Sequence, residues 1–160
     1  MQKFLKYSGQ ILAVAALSYG INLWQTRSLL NNQSDAPAFT LQTVDGKEMS
    51  LAKLAEKPTV LYFFAPWCTV CDLNIPALDS LDNDVQVFAI ALAYQSKDEV
   101  TKFISDKEVN VPVLMGTPNI ARNYRVNSFP TVYFIDSEKK ISNKTVGYTP
   151  GLSMRIRAWL

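Results

Sequence analysis

Two cysteines that follow an apolar run are the feature that most constrains this chain. Residues 59–65 are all apolar, aromatic or β-branched, a pattern that predicts a strand buried on both faces. Pro66 ends the run, and Cys68 and Cys71 come shortly after it. The residues beyond them predict a helix, because apolar side chains recur at helical spacing at Leu73, Ala77, Leu78 and Leu81. We therefore expect both thiols where a central strand passes into the first turn of a helix.

The start of a helix is a suitable place for a reactive cysteine. Backbone N–H groups are unpaired there and carry a partial positive charge, which favours an anion. The thiolate is the reactive form of cysteine, and the pKa of a thiol falls at such a position. Cys68 is therefore expected to be the exposed nucleophile, and Cys71, one turn further in, to close a disulfide or resolve a mixed one. Thr69 and Val70 between them bring no charge.

Three other interpretations of the cysteine pair are weaker. A purely structural disulfide would close a very short loop, which removes little chain entropy and stabilises weakly. Half of a zinc site would need further ligands, and the chain has no histidine and no third cysteine. Chance spacing is the third interpretation. The strand and helix patterns around the pair favour redox function over all three.

The composition restricts the remaining classes of function. With 160 residues, 48% of them hydrophobic, the chain can form one domain with a short appendage. The formal net charge of +2 is too small to indicate nucleic-acid binding, and the isolated Lys139-Lys140 pair is interpreted as a solvated turn. Without histidine, neither imidazole base catalysis nor imidazole metal ligation is available, so any catalysis must depend on the thiols.

The N-terminal segment has the pattern of a membrane-targeting sequence. Lys3 and Lys6 precede residues 7–24, which carry no charge. This length is at the short end for a membrane-spanning helix, and the preceding lysines predict a cytoplasmic N-terminus and an exported domain. A cleaved signal peptide is the alternative, with Ser18-Tyr-Gly20 as a weak cleavage site. We favour a retained anchor because apolar residues continue to Trp24, and either outcome places the thiols in an oxidising compartment.

The chain is accordingly divided into a signal anchor over residues 1–26, a polar tether over 27–35 and one domain over 36–160. Strand and helix patterns alternate in the domain, which predicts an α/β fold with a central mixed sheet flanked by helices. A hairpin through Asp45-Gly46 is expected to precede the central strand. A helix over 51–55, capped by Ser50, is expected after the hairpin, and Pro76 is expected to kink the helix that follows the thiols. Further strands are predicted over 85–92, 111–115, 126–135 and 140–146. Further helices are predicted over 96–107 (capped by Ser96), over 118–124 and from 149 onward, the last with Leu152, Ile156 and Trp159 facing inward.

Several short motifs carry a resemblance to a known family. They are Ala36-Pro-Ala-Phe-Thr-Leu41, Phe63-Phe-Ala-Pro-Trp-Cys-Thr-Val-Cys71, Val126-Asn-Ser-Phe-Pro-Thr131 and Phe134-Ile-Asp136. Together they resemble the thioredoxin fold, and more closely the membrane-anchored TlpA/ResA/DsbE-like thiol–disulfide oxidoreductases of bacteria. The resemblance extends from Ala36 to the C-terminus. It implies a thioredoxin-like fold with an extra N-terminal β-hairpin, which distinguishes this branch from plain thioredoxin, and an N-terminal hydrophobic helix.

The resemblance implies roles for residues around the dithiol. Pro130 matches the family's cis-proline, and a cis bond is readily formed only before proline. That bond would bring the Phe129 backbone beside Cys68, where an extended substrate segment can pair with it. Trp67 matches the tryptophan that flanks the nucleophile. An ordinary trans proline at a strand start and a tryptophan in the core are the alternatives.

The family also implies partners and a location. Cys68 would attack the disulfide of a specific exported protein, such as an apocytochrome c, and Cys71 would release the product. A membrane-embedded thiol donor would re-reduce the pair, and the redox-active disulfide would serve without a further cofactor. The chain would be a single-pass protein of the bacterial inner membrane, held there through residues 7–24, with its catalytic domain in the periplasm.

Other functions stay open on the sequence. An oxidase that donates its disulfide would use the same two cysteines, and the Thr-Val dipeptide between them does not decide the redox direction. A copper-handling protein would use both thiolates, with Met115 as a candidate further ligand, although the lack of histidine counts against it. A tethered binding module with vestigial cysteines is the third alternative.

Two positions depart from the family pattern where a proton acceptor for Cys71 is expected. Tyr62 stands where thioredoxin has a buried aspartate, and Asn74 stands where some anchored relatives have a glutamate. Asp72 and Asp79 are near in sequence but are interpreted as solvated helix charges. The sequence therefore assigns no proton acceptor to Cys71.

Overall fold

The computed structural model describes residues 2–54, 56–81 and 85–159, with side chains from residue 10 onward. Within these residues, five strands form one mixed sheet in the order β5-β4-β3-β6-β7. Their bounds are β3 Thr59–Phe64, β4 Gln86–Ala91, β5 Val113–Met115, β6 Thr131–Ile135 and β7 Ile141–Val146. β3, β4 and β5 run parallel, whereas β6 is antiparallel to β3 and β7 is antiparallel to β6. The predicted α/β architecture with a central mixed sheet is confirmed.

The central strand β3 explains the apolar run from which the sequence analysis started. All six of its residues are at most 3% exposed, because apolar layers cover both faces of the sheet. Alternate side chains enter different layers: Val60 and Phe64 pack in the cluster that contains the two cysteines, and Leu61 and Phe63 pack in the opposite one. The dithiol therefore lies directly after a strand that is buried along its whole length.

An N-terminal hairpin precedes the sheet, as the Asp45-Gly46 pattern predicts. β1 (Thr40–Gln42) and β2 (Glu48–Ser50) pair antiparallel, and Gly46 adopts a φ of +88°, which glycine reaches without strain. The Val44 N–H donates to the carbonyl of Val113 at 3.1 Å, so the hairpin is attached to the edge strand β5.

The helix predicted after the hairpin is shorter than expected. A 3₁₀ turn covers Leu51–Lys53, and Ser50 precedes it without a side-chain capping bond, so the predicted cap is wrong. The last predicted position of that helix, residue 55, lies outside the described residues.

Five α-helices are present in the described ranges, and their start signals agree largely with the sequence. The first, α1, spans Gln2–Thr26; the others are α2 Thr69–Asn74, α3 Lys97–Asp106, α4 Pro118–Asn123 and α5 Gly151–Ala158. The Ser96 hydroxyl accepts from the Glu99 N–H at 3.3 Å, which confirms the predicted cap of α3. α2 is followed by a 3₁₀ turn over Ile75–Ser80 that contains Pro76, so the change of helix type occurs where the kink was predicted.

The inward face of α2 differs from the predicted one. Leu73, which was assigned to the buried stripe, is 70% exposed, although Leu78 and Leu81 are buried as expected. The side chains that face the core from this segment are Cys71, Asn74, Ile75 and Leu78, each at most 1% exposed. The predicted and the observed stripe are offset from each other by less than one helical turn. Because Asn74 is polar, the spacing of apolar residues alone does not indicate the observed stripe.

The inward face of α5 is also different. Leu152, Ile156 and Trp159 are 71%, 55% and 57% exposed, so the prediction that they face inward is wrong. Met154 and Ala158 pack into the core at 0% and 6% exposure. Both sets have helical spacing, and periodicity alone does not decide which set meets the sheet when a helix has apolar residues on two sides.

The N-terminal helix α1 is 25 residues long. No helix within the described residues is both long enough and apolar enough to cross a membrane. The expected membrane-spanning segment over residues 7–24 is therefore not confirmed.

Residues 27–35, expected to be a polar tether, are attached to the domain. Leu29 is 2% exposed, and the Leu30 N–H donates to the Tyr133 hydroxyl at 3.2 Å. The Gln33 N–H donates to the carbonyl of Ile141 at 2.7 Å. The segment thus follows the β7 edge of the sheet, because Leu29 and Leu30 supply apolar contacts that its mainly polar composition conceals.

Candidate active site

Cys68 lies at the junction of β3 and α2, where the sequence predicts it. Its backbone is extended, and its N–H donates to the carbonyl of Ala65 at 3.0 Å, which closes the turn after the strand. Its own carbonyl accepts from the Asp72 N–H at 3.2 Å. The Cys71 N–H donates to Cys68 Sγ at 3.2 Å, so the cysteine itself caps the helix. The same Cys71 N–H also donates to the Cys68 carbonyl at 2.9 Å, so the sulfur shares this donor with the first turn of the helix.

Cys68 and Cys71 form a disulfide, and their Cα atoms are 5.2 Å apart, a usual separation for such a bond. Cys68 is 7% exposed and Cys71 is 0% exposed. Cys68 was expected to be exposed, but it is nearly buried because the neighbouring side chains cover most of it. Cys68 is nevertheless the more exposed of the two cysteines.

An aromatic pair flanks the disulfide. Trp67 is 64% exposed, and its Nε1–H donates to the carbonyl of Ala93 at 2.9 Å. Its ring meets the half-buried Phe129 edge to face, with ring centres 5.8 Å apart. The Phe129–Pro130 peptide bond is cis, and the buried Pro130 accepts a hydrogen bond from the Gly147 N–H at 2.8 Å. The chain thus brings the start of β6 to the side of the junction that carries Trp67.

Tyr62 is fully buried beneath the inner cysteine. Its hydroxyl donates to the carbonyl of Cys71 at 3.4 Å. Burial raises the pKa of the Tyr62 hydroxyl well above its usual value, and the negative charge of Asp72 raises it further. Tyr62 therefore keeps its proton at physiological pH and acts as a hydrogen-bond donor. Asp72 itself pairs with Lys107 at 3.0 Å near the surface.

Asn74 is buried and fully hydrogen-bonded to one distant residue. Its Nδ2 donates to the carbonyl of Thr149 at 2.8 Å, and its Oδ1 accepts from the Thr149 N–H at 2.8 Å. These two bonds fix the end of α2 to the loop before α5. The sequence analysis missed this role; the available signal was that Asn74 falls three residues after Cys71 on the stripe shared with Ile75 and Leu78.

The arrangement supports thiol–disulfide exchange. Two sulfurs are bonded to each other at a helix start, one has access to solvent, and the side chains beneath them are neutral. Within the ranges that the structure describes, no three His, Cys, Asp or Glu side chains are grouped closely enough to hold a metal ion.

Comparisons with known proteins agree with this geometry. A family model described as the AhpC/TSA family matches residues 33–144, more than half of the chain. The chain belongs to the AhpC/TSA family. The thioredoxin-like protein YneN of Bacillus subtilis is 31% identical over 153 residues, which cover 89% of this chain and 90% of that protein.

Two further similarities specify the type of family member. The thiol-disulfide oxidoreductase ResA of Bacillus subtilis is 27% identical over 152 residues, covering 90% of this chain and 84% of ResA. The crystal structure of a thiol:disulfide interchange protein of the thioredoxin family from Chlorobium tepidum has a TM-score of 0.72 and 26% identity, covering 81% of this chain and 97% of that one. With the Cys68–Cys71 pair, these findings identify this AhpC/TSA member as a thiol–disulfide oxidoreductase of the ResA/DsbE type.

Proposed function

We propose that this chain reduces the disulfides of specific proteins outside the cytoplasm, with Cys68 as the nucleophile and Cys71 as the resolving thiol. The observation that carries the proposal is the disulfide at the start of α2, in which Cys68 keeps some exposure and Cys71 keeps none. This asymmetry supports an attack on the partner by the first cysteine and an intramolecular step by the second.

The reaction starts from the reduced dithiol. The Cys68 thiolate attacks one sulfur of the partner's disulfide, a mixed disulfide forms, and the partner's other sulfur leaves as a thiolate that takes up a proton. The Cys71 thiolate then attacks Cys68 Sγ, and the partner's second sulfur leaves and is protonated. Two electrons and two protons pass to the partner, and the Cys68–Cys71 disulfide is restored. The Cys71 N–H, which donates to Cys68 Sγ at 3.2 Å, supports negative charge on that sulfur.

The aromatic pair is proposed to bind the partner next to its disulfide. Trp67 is exposed but held by its bond to Ala93, so its ring offers a fixed apolar surface. Phe129 and Pro130 form the other wall, at the start of β6. The exposed side chains of Val70 and Leu73 extend this apolar surface along α2, a composition suited to contact with an unfolded or extended segment.

Loss of reductase activity on substitution of Cys68 is the direct test of this function. Purified wild-type chain with dithiothreitol should accelerate the reduction of insulin disulfides. Cys68→Ser should lower the rate to that of dithiothreitol alone, because the other cysteine, Cys71, is fully buried. Cys71→Ser should instead accumulate a mixed disulfide. Full activity of Cys68→Ser would remove Cys68 from the role of nucleophile.

The reduction potential decides the physiological direction. A reductase needs re-reduction by a membrane-embedded thiol donor, because an extracytoplasmic compartment oxidises dithiols. We expect a potential near that of thioredoxin, about −270 mV, measured by equilibration with glutathione or dithiothreitol buffers. A value near about −120 mV, typical of strong disulfide donors, would instead support the oxidase function.

We also propose an extracytoplasmic location at the membrane. The support is the basic start at Lys3 and Lys6, followed by the uncharged residues 7–24. An alkaline phosphatase fused to the C-terminus in a bacterial host should be active, and the fusion should sediment with membranes. Activity only of a cytoplasmic reporter at the same position would contradict the location, without bearing on the redox chemistry.

A further inference from the structure

The outer side of α5 is an apolar stripe that the described residues leave largely exposed. Leu152, Ile156 and Trp159 are spaced four and three residues apart, and they are 71%, 55% and 57% exposed. Arg155 falls within the same helical stripe. Leu152 and Ile156 also line a groove of about 500 Å³ beside β7. A stripe of Leu, Ile and Trp with an arginine among them is the composition of helices that lie on membrane surfaces.

A second apolar surface begins on the same face of β7. The Asn22 side chain of α1 donates to the Thr145 hydroxyl at 3.3 Å, and Arg157 of α5 donates to the Asn143 side chain at 2.8 Å. Asn143 and Thr145 are two residues apart on β7, so their side chains project from the same side of the strand. The C-terminal end of α1 and the helix α5 are therefore both attached to one side of the sheet.

The exposed side chains of that end of α1 are large and apolar. Tyr19, Leu23 and Trp24 are 67%, 52% and 63% exposed. Together with Leu152, Ile156 and Trp159 they define what we name the α1–α5 face. Arg27 lies over the Trp24 ring at 5.2 Å, which places a positive charge at the margin of this face.

Charge is distributed unevenly along the chain, and the charged residues just after α1 and within α5, namely Arg27, Arg155 and Arg157, are all positive. Residues 1–34 and 139–160, which contain α1, β7 and α5, carry eight Lys and Arg residues and no Asp or Glu. Residues 35–138, which contain the rest of the domain, carry eight Lys and Arg and 14 Asp and Glu. The net charge of +2 thus combines basic terminal segments with an acidic remainder of the sequence.

We infer that the α1–α5 face docks on the surface of an anionic phospholipid bilayer. The apolar side chains would enter the boundary between headgroups and acyl chains, the two tryptophans would lie at the headgroup level, and the arginines would contact lipid phosphates. The acidic remainder of the domain would be repelled from the same surface, which would fix the orientation of the domain. The inference uses the membrane location proposed above and is independent of the redox chemistry.

Fluorescence of two single-tryptophan chains tests the docking. One full-length chain keeps Trp159 and carries Trp24→Phe and Trp67→Phe; the matched control keeps Trp67 and carries Trp24→Phe and Trp159→Phe. Each is mixed with vesicles of phosphatidylglycerol and phosphatidylcholine with brominated acyl chains. The expected result is strong quenching of Trp159 and little quenching of Trp67, which lies at the dithiol. Equal quenching of the two, or no quenching of Trp159, would overturn the inference even if α1 alone holds the chain on the vesicles.

Paired surface variants distinguish vesicle binding through the α1–α5 face from nonspecific adsorption of exposed apolar side chains. Leu152→Ser with Ile156→Ser removes the α5 stripe, and Val70→Ser with Leu73→Ser removes two exposed apolar side chains elsewhere, which are 40% and 70% exposed. The first pair should weaken binding to phosphatidylglycerol vesicles about tenfold and the second less than about twofold, given the apolar area that each removes from the lipid contact. An equal effect of the two pairs, or none from the first, contradicts the inference.

Two further readouts distinguish the competing outcomes. Binding should weaken with added salt and on vesicles of phosphatidylcholine alone, because the attraction is partly electrostatic. If light scattering without lipid shows a dimer that Leu152→Ser with Ile156→Ser abolishes, the stripe binds a second copy and the lipid inference is overturned. Insulin reduction by the same double variant should equal that of the wild type, so a failure of docking and a failure of the redox proposal are separable.

Discussion

Beneath the dithiol, Tyr62 and Asn74 are neutral polar side chains whose hydrogen bonds hold the local backbone in place. Both polar side-chain atoms of Asn74 form hydrogen bonds with the backbone of Thr149, and the Tyr62 hydroxyl donates to the carbonyl of Cys71. Both residues occupy positions where the resemblance leads one to expect an acid. A buried carboxylate at either place would need a cationic partner or a proton, whereas an amide and a phenol are satisfied as neutral groups. The inner cysteine is therefore surrounded by groups that fix the local backbone.

Replacing Asn74 should destabilise the domain strongly. Asn74→Ala leaves the N–H and carbonyl of Thr149 buried without partners, which should lower the free energy of unfolding by about 2–4 kcal/mol. The control is Asn110→Ala, since Asn110 is exposed and bonds the surface residue Asp79, and its loss should cost less than about 0.5 kcal/mol. Urea unfolding of both variants measures the difference. Equal losses would show that the bonds to Thr149 contribute little.

Replacing Tyr62 should leave the pH dependence of catalysis unchanged. Because burial raises the pKa of Tyr62, the hydroxyl is protonated at every pH at which the enzyme is assayed, and Tyr62→Phe removes a donor but no titrating group. The pH profile of insulin reduction between about pH 6 and 9 should keep its midpoint, even if the rate changes. A shifted midpoint would show that Tyr62 takes part in proton transfer.

At the level of elements, the parts set by local signals could be predicted, whereas the buried faces of α2 and α5 could not. The run from Thr59 to Cys71 determines a strand, a turn and a helix start from adjacent residues alone. The hairpin at Gly46 and the Ser96 cap depend on equally local chemistry. The faces of α2 and α5 depend on where the sheet lies, and the key contact of α2 is to Thr149, 75 positions away.

A glycine after β5 illustrates an element fixed by close packing. A Cβ on Gly116 would lie 2.5 Å from the carbonyl oxygen of Ala91 and 2.6 Å from Leu92 Cδ2. Gly116→Ala should therefore displace β5 from β4 and lower the free energy of unfolding by about 3 kcal/mol. Gly20→Ala is the matched control, because nothing lies within 4 Å of its Cβ and alanine favours a helix. Thermal unfolding of both variants compares them; equal stability would contradict the packing argument.

On the scale of the whole molecule, hydrogen bonds of buried tyrosine hydroxyls attach the N-terminal segment to the sheet. The Tyr133 hydroxyl accepts from the Leu30 N–H at 3.2 Å and donates to the carbonyl of Tyr124 at 2.6 Å. The Tyr124 hydroxyl donates to the carbonyl of Pro37 at 2.8 Å. These contacts join residues up to 103 positions apart, and no local sequence pattern indicates them. This is why residues 27–35 were expected to form a polar tether.

These phenols predict a loss of stability at alkaline pH. Burial raises the pKa of Tyr133 to about 12, and it raises the pKa of Tyr62 and Tyr124 further, whereas unfolded tyrosines ionise near pH 10. Since the folded pKa values are the higher ones, this stability is complete below about pH 10 and is lost as the pH rises towards about 12. Absorbance at 295 nm should show part of the seven tyrosines ionising only when the chain unfolds. Ionisation of all seven near pH 10 with the fold intact would contradict the burial.

The proposed reaction requires that Cys68 is the sulfur that attacks the partner. The most direct measurement uses reduced Cys71→Ser and reduced Cys68→Ser, each incubated with a short disulfide-linked peptide, digested without reductant and mapped by mass spectrometry. The account predicts a peptide adduct on Cys68 in the first variant and almost none on Cys71 in the second, because Cys71 is fully buried. An adduct that forms as fast on Cys71 as on Cys68 would contradict it.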